Sequence, residues 1–114
     1  MNTHKQIRDE VMAVLTELGL PKQTTKQLHG SLKYYTYIDD VEELVPGAYL
    51  RWIQLNDFQL KQGAIFVELK EDNKVCLKNF YHKYFQIDAN ECLLFQKLSA
   101  QELVILSAMD HLQK

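Results

Sequence analysis

Cysteine, glycine and proline are scarce in this chain, and it has no long apolar run and no metal-ligand spacing. Two cysteines in 114 residues exclude a disulfide-stapled secreted scaffold. Cys76 and Cys92 both fall in strand-like runs, the setting of reduced, buried thiols. Four glycines, at positions 19, 30, 47 and 63, leave no glycine-rich phosphate loop. No stretch approaches the roughly 18 apolar residues of a membrane span. The first residues, Met1 to Arg8, lack the apolar core of a signal peptide, so the expected location is cytoplasmic. Charge of either sign is not in excess: 15 acids face 13 bases, for a formal net charge of −2. That excludes a broad histone-like affinity for nucleic acid but leaves room for a local basic face. Catalytic patterns are missing as well. None of His4, His29, His82 and His111 stands in local register with a cysteine, as a thiol nucleophile would need. There is no C-x-x-C or H-x-x-x-H pair. The acidic run Asp39-Asp40-Val41-Glu42-Glu43 lacks the glycine and spacing of a calcium loop. The expectation is a non-enzymatic chain with no metal, no cofactor and no membrane partner.

What is present describes an α+β domain. A length of 114 residues, 46% of them hydrophobic, suits one domain with one core, residues 1–114. Thr3 and Gln6 have capping-box spacing, and Ile7, Val11, Val14, Leu15 and Leu18 follow at helical period. Gly19 and Pro21 then end the segment, which predicts a helix over 4–18. Residues 21–31 are polar and rich in breakers and read as a linker or ordered loop. A β-rich core over 32–98 follows, with strand-like runs at 32–38, 48–55, 64–70, 74–80 and 92–98. Residues 48–55 are apolar on both faces, as in a central strand. Ile65, Val67 and Leu69 are expected on one side, and Glu71 to Lys74 form a turn in which Asp and Asn tolerate positive φ. Tyr81 to Ile87 is aromatic and less clearly periodic. Ser99 and Glu102 mark a second capping box and a helix over 99–112, with Ile105, Ala108, Met109 and Leu112 as its stripe and Leu103 and Leu106 widening it. Terminal helices flanking a run of strands predict a small antiparallel sheet or an SH3-like β-barrel of about five strands.

Two sets of residues are candidates for contact with a partner. Leu103 and Leu106 extend the apolar face of the last helix toward a protein partner or a second copy. Arg51 lies in an apolar strand, where a buried charge needs a partner. It either pairs with Glu68 on the neighbouring strand or snorkels, or it faces a partner molecule. The second set interleaves lysines with aromatic residues. Lys33, Tyr35, Lys78, Tyr81 and Lys83 would bind RNA or single-stranded DNA by stacking and charge. Trp52, on the face shared with Leu50, is the expected core anchor.

The run Gly47-Ala-Tyr-Leu-Arg-Trp-Ile-Gln-Leu55, then Gly63-Ala-Ile-Phe-Val67, then Leu94-Phe-Gln-Lys-Leu-Ser-Ala-Gln-Glu-Leu103, resembles small uncharacterised proteins of large double-stranded DNA viruses. The resemblance spans roughly residues 34–112 and contains no catalytic motif. It implies a viral protein in the host cytoplasm or the virion, and it supplies no functional residues. The expected function is a non-enzymatic protein-interaction module, self-associating or bound to another protein, in a viral structural or accessory role. The alternative expectation is binding of RNA or single-stranded DNA through the lysine and aromatic face.

Overall fold

Thr3 starts the first helix as its spacing predicts: its hydroxyl accepts from the Gln6 amide at 3.2 Å, and the Gln6 side chain accepts from the Thr3 amide at 2.8 Å. The computed structural model describes residues 3–112, with side chains described for 3–109. In chain order the elements are α1 (His4–Thr16), α2 (Lys22–Ser31), β1 (Tyr35–Ile38), β2 (Tyr49–Gln54), β3 (Ala64–Leu69), β4 (Lys74–Lys78), β5 (Tyr84–Asp88), β6 (Cys92–Lys97) and α3 (Ala100–Leu112). The strand order is β1-β6-β2-β3-β4-β5. It has two ends, so of the two expected forms the open sheet is the one observed. Every pairing among β2 to β6 is antiparallel. None of the described helices is long and apolar enough to cross a membrane.

The chain divides into two compact units, one formed by Met1–Tyr37 with Leu98–Lys114 and the other by Ile38–Lys97. In the first, α1 buries Ile7, Val11 and Leu15 and ends near Gly19, which takes the left-handed conformation at φ 68°. The expected loop over 21–31 is instead the helix α2. Pro21 precedes its first turn, where the missing amide donor costs nothing. Thr25 is its one buried residue, so α2 carries no apolar period. Its anchor is polar. The Arg8 guanidinium donates to the His29 carbonyl at 2.8 Å and to its Nδ1 at 3.0 Å, while His29 Nε2 lies 3.0 Å from the Arg8 carbonyl. A guanidinium only donates, so Nδ1 is the acceptor and Nε2 carries the proton.

The second unit buries one face of its sheet around Leu50, Trp52, Phe66, Val75, Leu77 and Leu94. Trp52 is 6% exposed and stacks at a tilt on Phe85, ring centroids 6.0 Å apart. Its indole Nε1 is buried without a hydrogen-bond acceptor. Strand β2 is interior, between β6 and β3, and its ladder with β6 runs from Leu50↔Gln96 to Gln54↔Cys92. Its ladder with β3 stops at Leu50↔Ala64, where Gly63 bends the chain at φ 102°. The expectation that Ile65, Val67 and Leu69 share a side fails, because the register shifts between Phe66 and Glu68. That bulge leaves Phe66 opposite Leu77 and Leu69 opposite Val75, with Ile65 turned to the other face. The next turn is as expected: Asp72 and Asn73 both have φ 58°, the left-handed pair of a type I′ hairpin.

Candidate binding surface on the hairpin of β4 and β5

Asn79 builds the turn that joins β4 to β5. Its amide donates to the Lys83 carbonyl and its carbonyl accepts from the His82 amide, each at 3.0 Å. Its side-chain oxygen accepts from the amides of Tyr81 at 2.8 Å and Lys83 at 3.1 Å. His82 closes the turn with φ 62°. Glycine is the usual residue there, and a side chain costs about 1–2 kcal/mol in that conformation. The tip residues are Phe80 and Tyr81, 73% and 84% exposed, and Tyr84 just beyond is 64% exposed. Two aromatic rings are thus held in solvent by a turn closed on itself, and a third stands at the start of β5.

The register of the sheet continues this patch sideways. Tyr49 pairs with Ile65, Ile65 with Lys78, and Lys78 with Tyr84. These four residues form one cross-strand row on the face away from the Trp52 core. Strands about 4.8 Å apart make the row roughly 14 Å long. The Phe80 ring folds back toward Tyr49, centroids 6.0 Å apart, and the Tyr49 hydroxyl donates to the Gln62 carbonyl at 2.6 Å. Between them is a pocket of about 140 Å³ lined by Tyr49, Ile65, Lys78, Phe80 and His82 among others.

Charge is distributed unevenly along the hairpin. Lys78 and Lys83 flank the turn, and neither meets a carboxylate among the described residues. No acid occurs from Lys74 through Ile87. Glu71, Asp72, Asp88 and Glu91 all lie at the opposite end of the two strands, about 13 Å away at 3.3 Å per residue. Lys74 is neutralised there by Asp88 at 2.9 Å. The contact with Lys74 and the Asn90 amide hold the Asp88 carboxyl below its ordinary range, and Lys74 is raised in return. Lys70 pairs with Glu68, and Lys61 with Asp57.

Of the residues expected from sequence to bind nucleic acid, Lys78, Tyr81 and Lys83 come together on this hairpin. Lys33 and Tyr35 belong to the other unit, where the Lys33 ammonium sits 5.4 Å from the centre of the Tyr34 ring. The expected pairing of Arg51 with Glu68 is not formed. Glu68 is engaged by Lys70, and Arg51, half-buried, donates from Nε to the Lys61 carbonyl at 3.0 Å. Lys61 is held beside β2 by its own amide, which donates to the Trp52 carbonyl at 2.8 Å. In the first unit, Leu106 is 2% exposed and packs with Ile7 and Leu98, and Leu103 packs against them. The expected stripe is rotated: Ile105 and Ala108 face outward with Val104.

Phe80 and Tyr84 are among the aromatic residues interleaved with the lysines, whereas sequence reasoning missed Tyr49 and Ile65 as members of the site. The available signal was Asn79, whose side chain favours a tight turn. A turn there aligns Lys78 with Tyr84, whereas a strand extended to Phe80 hides the alignment. Both cysteines are buried and unpaired. Loss of water pushes the Cys92 thiol up to about 11, far from the range of a reactive thiolate. The first unit carries a groove of about 460 Å³ lined by Met12, Thr16, Leu20, Lys22, Thr25 and Lys26, with no aromatic ring in its lining. Comparison with protein families, with curated proteins and with solved structures gives no match.

Proposed function

We propose that this protein is a non-enzymatic binding module whose contact face is the row Tyr49, Ile65, Lys78 and Tyr84 with the turn rings Phe80 and Tyr81. The observation that carries this reading is the exposure of two aromatic rings on a turn fixed by four hydrogen bonds to Asn79, with a third, Tyr84, at the start of β5. Water-exposed rings are costly to keep, and a turn that holds them loses little entropy when a partner covers them. Large rigid side chains of this kind are the usual anchors of interfaces. The strained His82 supports the same reading, because a conformation glycine would adopt freely is kept for a ring-bearing residue lining the pocket. In the setting implied by the resemblance to small viral proteins, the module acts in the cytoplasm as a structural or accessory component.

The test is a photoreactive benzoylphenylalanine placed at position 81 of the full chain, with position 71, at the far end of the hairpin, as control. Irradiation in the producing cells should give an adduct at 81 and none at 71. The adduct identifies its occupant as a second copy, another protein or a nucleic acid. Equal labelling at both positions, or none at 81, defeats the proposal.

A further inference from the structure

We infer that the occupant of this face is a single-stranded nucleic acid, with bases stacked on Tyr81, Phe80 and Tyr84 and phosphates held by Lys78 and Lys83. The inference rests on the contact face proposed above. Lys78 stands in the row between Ile65 and Tyr84, and Lys83 lies between the turn and Tyr84 in sequence. A ligand lying across the row therefore meets the Lys78 cation directly beside the Tyr84 ring. A nucleic-acid strand matches that pairing, with a flat base and an anion in every residue. The hairpin's own carboxylates are all at its other end, and Glu68 on the neighbouring strand, which lines a pocket with Tyr84, has its charge met by Lys70. This local field opposes the chain's overall charge of −2, which is how selective rather than general attraction is built. A duplex keeps its base faces covered and cannot use exposed rings, so the strand must be single. A protein partner is favoured less, since Ile65 is the only aliphatic anchor in the row.

Fluorescence anisotropy of the full chain with labelled 12-mers of oligo(dT) and oligo(rU) tests this, with a 12-base-pair duplex as control. Two phosphate contacts on a single strand give a salt slope of about −1.4, so affinity should fall about sevenfold between 50 and 200 mM salt. Tyr81→Ser should weaken binding at least about fivefold, the loss of one stacked base. Tyr81→Phe should restore it. Lys78→Gln combined with Lys83→Gln should remove most of the salt slope. Tyr81 is so exposed that these changes leave the fold intact, which a thermal melt verifies. Binding of either oligonucleotide in this pattern supports the inference, and the tighter one names the sugar. Equal binding of the duplex, or Tyr81→Ser matching the parent, overturns it. If neither oligonucleotide binds at 50 mM salt while the position-81 probe captures a protein, the nucleic-acid inference falls and the contact face stands. If neither binds and the probe captures nothing, both fall.

Discussion

Gly63→Ala is the substitution whose cost the structure specifies most closely. A Cβ at Gly63 would lie 2.2 Å from the Leu50 carbonyl oxygen and 3.1 Å from both Arg51 Cγ and Tyr49 Cε1. The two side chains can rotate away. The carbonyl cannot, because β2 is held on its far side by β6 through Leu50↔Gln96. Relief therefore parts the backbones of β2 and β3 by about an ångström. That breaks one ladder hydrogen bond, worth about 1 kcal/mol. The φ of 102° adds about 2 kcal/mol for any residue with a side chain. A total near 3 kcal/mol is a large part of the 5–15 kcal/mol typical of a domain. At roughly 4 °C per kcal/mol it lowers the melting temperature by about 12 °C. Trp52 is the only tryptophan and lies in the core of the same unit, so its fluorescence reports the loss in a urea titration. Gly30→Ala is the counter-experiment: it lies in α2, where an added Cβ meets nothing within 4 Å. It should stabilise by about 0.5–1 kcal/mol through helix propensity. A Gly63→Ala protein melting within about 2 °C of the parent would refute the steric argument, since that is less than 1 kcal/mol.

Other outcomes follow from particular contacts. His29→Ala removes the acceptor and donor that hold Arg8, so amide exchange across 22–31 should accelerate and stability fall by about 1–3 kcal/mol; unchanged protection of α2 would show that the clasp is dispensable. Arg51→Ala loses the bond to the Lys61 carbonyl and should cost about 1 kcal/mol, measured by urea titration; association weakened with no loss of stability would move Arg51 from the fold to an interface. Native Cys76 and Cys92 should resist a thiol reagent at pH 8, because both are buried and the Cys92 thiol titrates only near 11, and rapid stoichiometric labelling would contradict this. Asp88 is depressed below its ordinary 3.8 in the fold, so its contribution is present above that value and is lost as pH falls through the folded one. Asp88→Asn should accordingly flatten the acid limb of the melting curve below about pH 4, where that proton is taken up. An acid limb as steep as the parent's would assign it to other carboxylates.

The terminal helices were legible because both begin with reciprocal hydrogen bonds encoded by adjacent residues. Thr3 and Gln6 make one, and Ser99 and Glu102 make the other, at 3.0 and 3.1 Å. Gly19 and the pair Asp72-Asn73 were legible for a similar reason, since few residues accept positive φ. The helix α2 was not legible. Thr24, Thr25 and Gly30 are poor helix formers, and the Arg8–His29 clasp that secures it joins residues 21 apart. The bulge after Phe66 was hidden too, because period two in a strand assumes an unbroken ladder. Aromatic residues and lysines of the site could be named from composition and interleaving. Their union with Tyr49 and Ile65 could not, because it depends on which residues face one another across three strands.

The first unit is made of two stretches of chain with the whole of the second unit between them. Ile7 meets Leu98 and Leu106 in one cluster, so an earlier-synthesised part of the unit waits for a later one. On a ribosome adding about 5–20 residues per second, Leu98 follows Ile7 by roughly 5–18 s. The segment Ile38–Lys97 is continuous and is synthesised whole within that interval. Synthesis thus orders the two units: every residue of the sheet unit, the binding hairpin included, is added before Leu98 and Leu106, the cover of Ile7. A premature stop after Lys97 would leave the sheet unit entire in sequence and the helical unit without its second half.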